Sequence, residues 1–75
     1  MDELLLLKRI CAALPERDPV WNWCLLNDEL AKLPSLSREP ALRARLKPTV
    51  TDETVALMLA AVNEHIHARS RLVGH

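Results

Sequence analysis

This sequence has one glycine, no tyrosine and no phenylalanine. Tight β-hairpins use two-residue turns that usually contain glycine, so a sheet built from hairpins is not expected. The chain has no glycine-rich loop of the kind that cradles phosphate, and no apolar run long enough to span a bilayer. These absences favour a helical protein and disfavour nucleotide-binding and membrane-spanning classes.

The chain has only two cysteines, Cys11 and Cys24, and its formal net charge is zero. The apolar run at residues 4–7 follows two acidic residues and stops at Lys8, whereas a secretory signal starts basic and has a longer apolar stretch. We therefore expect a cytoplasmic protein with reduced thiols, both buried as small apolar groups. A disulfide between them is the less favoured alternative, because packed helices usually lie too far apart.

Helical periodicity dominates the sequence, and prolines divide it into segments. We predict an all-α fold in a single domain covering residues 1–75, a small bundle whose first two helices form an antiparallel hairpin. Three helices are longer and one is short. The predicted helices span residues 2–14, 19–33, 40–47 and 52–73, and residues 74–75 form a short tail.

Residues typical of helix ends support these boundaries. Asp18 suits the N-cap of the second helix and Pro19 its first position. Thr51, or Thr49 paired with Asp52, suits the N-cap of the last helix, and Gly74 lies where a C-terminal cap is expected. Pro40 is interpreted as the first residue of the short third helix.

The last predicted helix carries more apolar surface than one buried face requires. Its main stripe contains Val55, Met58, Leu59, Val62 and Ile66. A second stripe lies about 120° around the helix, and a helix that is apolar on two sides is normally buried on two sides. This second stripe consists of Leu57, Ala61, Ala68 and Leu72. Packing within the chain, against the third or the first helix, is the structural alternative for this stripe.

Trp21 and Leu25 are a second set of apolar residues outside the predicted buried face, because they lie opposite the main apolar arc of their helix. An exposed tryptophan beside an exposed leucine is unusual for a monomer, and tryptophan is enriched at binding hot spots. Packing under the third helix is the structural alternative for this pair. We expect one or both of these sets to contact another protein or a second copy of this chain, and a two-fold homodimer is the preferred assembly.

Four basic residues cluster in and around the predicted third helix. They face only one acid between residues 34 and 50, Glu39. The outline of residues 19–47 resembles a helix-turn-helix, so a DNA-binding transcriptional regulator is the alternative function. The turn lacks the glycine often found there, and the third helix has no Asn or Gln to read adenine. The basic residues are Arg38, Arg43, Arg45 and Lys47.

No pattern in the sequence predicts catalysis, a metal, a cofactor or a small-molecule substrate. His65 and His67 are two residues apart on a predicted helix and point about 200° from each other, so they cannot share an ion. No strand–turn–helix elbow carries a serine nucleophile. We therefore expect a non-enzymatic interaction module, such as an adaptor, a regulator or an inhibitor.

Overall fold

The computed structural model describes residues 3–73, with side chains as far as Ser70. This part of the chain contains four helices and no strand, which confirms the predicted all-α bundle. The helices are α1 (Glu3–Ala13), α2 (Pro19–Ala31), α3 (Ser35–Arg45) and α4 (Asp52–Val73). The predicted start of the first helix, at residue 2, and the tail with Gly74 lie outside the described residues.

Two helices begin at the capping residues that the sequence predicts. At the start of α2, Oδ1 of Asp18 accepts a hydrogen bond from the Trp21 amide at 3.2 Å, and proline occupies the first turn. At the start of α4, Oγ1 of Thr51 accepts from the Thr54 amide at 3.2 Å. Both bonds satisfy amides that have no acceptor within the helix, so the predicted caps are confirmed.

The third helix begins at Ser35, so the predicted start at residue 40 is wrong, and α3 is 11 residues long, as is α1. The Ser37 amide donates to the Pro34 carbonyl at 2.9 Å and closes a tight first turn. Pro40 therefore lies inside the helix, where it cannot donate to the carbonyl of Leu36. Leu36 is 92% exposed, so the turn that lacks this bond lies at the surface.

One hydrophobic core joins all four helices. The predicted main stripe of α4 supplies three of its buried side chains, Val55, Met58 and Val62. Leu42 is the core residue of α3, and it is fully buried. The remaining members of the buried cluster are Ile10, Ala13, Leu14, Leu26 and Leu30.

Helix α4 is the central element, because it packs against the other three helices. Helix α2 also contacts all of the others, whereas α1 and α3 flank this pair and form no direct helix contact within the described residues. The Lys47 amide donates to the Ala13 carbonyl at 2.8 Å and ties the link before α4 to the end of α1. In residues 3–73, no helix has both the length and the apolar character needed to cross a membrane.

Candidate partner-binding surface

The exposed side of the α1–α2 hairpin is unusually apolar. Trp21 is 62% exposed and Leu4 is 60% exposed, and four further aliphatic side chains on these helices are exposed by about two-fifths. α1 and α2 are neighbours joined by a short link, and we group exposed residues of these two helices. We call this group the outer face and define it by Leu4, Leu7, Lys8, Cys11, Val20, Trp21, Cys24 and Leu25.

Trp21 and Leu25 both belong to the outer face. They are one helical turn apart, so their side chains are neighbours on the surface of α2. Helix α3 packs against α2 but leaves both residues exposed. The alternative that the third helix covers this pair is therefore not observed.

The charge on the outer face is nearly absent and has one sign. No charged residue occurs between Pro19 and Asn27, and α1 carries only Lys8 and Arg9 after Glu3. The guanidinium of Arg9 turns toward α4, where it donates to Oγ1 of Thr54 at 3.1 Å. Lys8 is exposed and has no ion-pair partner among the described side chains.

The acids that border the outer face each take part in a cap or an ion pair. Glu29, one turn after Leu25, lies 2.8 Å from Arg45 and is exposed. Asp18 caps α2, as described above. Asp28 accepts from Arg69 of α4 at 2.8 Å. Oε1 of Glu16, in the link between α1 and α2, lies 3.9 Å from the guanidinium of Arg45. The outer face thus contains apolar groups and one cation, Lys8, and the exposed residues Arg17, Asp28 and Glu29 lie at its edge.

The second stripe of α4 is divided between two environments. Leu57 and Ala61 are half-buried along the side of α4 that meets α1, whereas Ala68 is exposed near the beginning of α1. The side chain of Leu72 lies outside the described residues. Leu57 and Ala61 therefore pack partly within the chain, as the structural alternative has it, and Ala68 is exposed at the surface.

An open groove of about 550 Å³ lies between α1, α2 and α4. Leu6, Trp23 and Ala61 provide its apolar part, and the ion pair between Asp28 and Arg69 lines it as well. Its volume falls in the range of ligand pockets, but it is open to solvent. Cys24 belongs to both the groove and the outer face, so the two features adjoin; the remaining lining residues are Asn27 and His65.

The two cysteines are exposed and free, so the expectation of buried thiols is wrong. The apolar residues of α1 cover a wider arc than α2 and α4 can bury, and Cys11 lies in the excess with Leu4 and Leu7. Periodicity identifies an apolar arc but not which of its edges a neighbouring helix covers. The width of the arc was the available signal for the outer face on α1.

The predicted basic patch is largely engaged in contacts within the chain. Arg38 donates to the Leu30 carbonyl at 3.2 Å and to Asn63 at 3.0 Å. Its side chain therefore connects α3 with both α2 and α4. Lys47 is exposed in the link before α4.

The two other arginines of this set are paired with acids. Arg43 lies 2.9 Å from Asp52 and 3.7 Å from Glu39. Arg45 lies 2.8 Å from Glu29 and contacts Glu16 as well. These pairs neutralise the basic segment and hold α3 in the bundle, so the four basic residues do not form an unpaired cationic surface.

The described side chains include no cluster of three histidine, cysteine or acidic residues that could hold a metal ion. His65 and His67 are both exposed on α4. Comparison with known proteins finds no family model, no curated protein and no solved structure that matches this chain. The outer face is the candidate site on the basis of its exposed apolar residues.

Proposed function

We propose that this protein is a non-enzymatic protein–protein interaction module, acting as an adaptor, a regulator or an inhibitor through its outer face. The observation that carries the proposal is the exposed Trp21 beside Leu25 in a segment without charge. Contiguous apolar patches on soluble proteins commonly mark interaction sites, and tryptophan is enriched at their energetic centres.

The exposed part of Trp21 is large enough to matter for binding. A tryptophan side chain buries about 150–250 Å² when it is fully covered, and Trp21 retains 62% of its exposure. Covering the remainder, roughly 90–155 Å², contributes an upper limit of about 2–4 kcal/mol at 25 cal/mol per Å². Leu25, one turn away, would add to the same contact.

Duplex DNA binding has less support than protein binding. Phosphate contacts require lysine or arginine side chains that are free to replace counterions. Arg43 and Arg45 are each paired with two acids, and Arg38 is bonded to α2 and α4. A homodimer through the outer face is the second form of the proposal, since two-fold dimers are the commonest assemblies.

Two matched substitutions test the proposal. Trp21→Ala removes the centre of the outer face, and Leu36→Ala removes an exposed leucine on α3 that lies outside it. Capture of binding proteins from the native host, with bound proteins identified by mass spectrometry, should be lost with Trp21→Ala and retained with Leu36→Ala. Circular dichroism checks that both variants keep their helices.

Light scattering over a dilution series separates the two forms of the proposal. A homodimer gives twice the chain mass of 8.5 kDa in the wild type and the monomer mass in Trp21→Ala. A wild type that stays monomeric at tens of micromolar removes the homodimer. Captured proteins that bind Trp21→Ala and wild type equally would overturn the proposed function itself.

A further inference from the structure

We draw no further inference here: the strongest candidate, the open groove of about 550 Å³ between α1, α2 and α4, carries nothing, because Asp28 and Arg69, the charged residues that line it, are paired with each other and nothing in the structure shows what covers its apolar part.

Discussion

The two flanks of this bundle differ in how many charged side chains they carry and in what those side chains contact. The flank built by α3 is rich in charged residues, and its arginines are paired or hydrogen-bonded to α2 and α4. The flank built by α1 and the first half of α2 has little charge and leaves leucines, cysteines and Trp21 exposed. The charged side chains of the first flank make contacts within the chain. The second flank has few charged side chains and exposes apolar ones, and the proposed function rests on this difference.

The largest expected effect on the free energy of unfolding is the difference between substitutions of two leucines of α3. Leu42 is fully buried, whereas Leu36 is 92% exposed. Leu42→Ala should lower the free energy of unfolding by about 2–5 kcal/mol, because it leaves a cavity in the core. Leu36→Ala should change it by about 0.5 kcal/mol or less. Urea denaturation followed by circular dichroism measures both, and similar losses would contradict the packing of α3.

A second comparison concerns the two tryptophans of α2. Trp23 is partly buried against the core, and Trp21 belongs to the outer face. Trp23→Ala should destabilise the protein by about 2–3 kcal/mol, below the range for a fully buried aromatic ring. Trp21→Ala should cost about 1 kcal/mol or less. Chemical unfolding of both variants decides this, and a larger loss for Trp21→Ala would place its ring in the core.

The sequence allowed these regions to be predicted to different degrees. Capping side chains act within one turn of the chain, so Asp18 and Thr51 were identified without knowledge of the fold. The start of α3 was wrong because proline favours the first helical position, and the chain instead accommodates Pro40 within an exposed helix. The N-terminal part that was not predicted carries Arg38, whose side chain bonds to the Leu30 carbonyl and to Asn63.

The charged and apolar surfaces required tertiary information. Arg45 and Glu29 are distant in sequence, so nothing in the local pattern indicated that they pair at 2.8 Å. The exposure of Cys11 likewise depends on which edge of the α1 arc the neighbouring helices cover. Periodicity did identify the position of Trp21 and Leu25 outside the main apolar arc of their helix, because helical geometry fixes that arc and its opposite side.

The cap of α2 offers a third test, because it holds the turn that carries Trp21. Asp18→Ala removes the acceptor of the Trp21 amide and should lower the free energy of unfolding by about 1 kcal/mol. Asp18→Asn keeps a side-chain oxygen and should stay near wild type. Thermal unfolding compares the two variants, and equal losses would mean that charge rather than the hydrogen bond stabilises this turn.

The smallest expected effects test the charged flank. Arg45 contacts Glu29 and Glu16 with a guanidinium about one-third exposed, whereas Arg43 is more exposed and its nearest partner, Asp52, is 90% exposed. Exposed ion pairs contribute about 0–1 kcal/mol and are screened by salt. Arg45→Gln should therefore cost about 1 kcal/mol, and Arg43→Gln about 0.5 kcal/mol or less.

Denaturation at low and at high salt checks the order of these two arginines. Raising the ionic strength should remove most of the cost of Arg43→Gln, because water and salt reach its partner Asp52. The cost of Arg45→Gln should persist better, because its side chain is less exposed and bridges the α1–α2 link to α2 through two acids. If both costs vanished equally, the charged flank would be held by its apolar residues, and the contrast with the outer face would rest on Leu42 rather than on ion pairs.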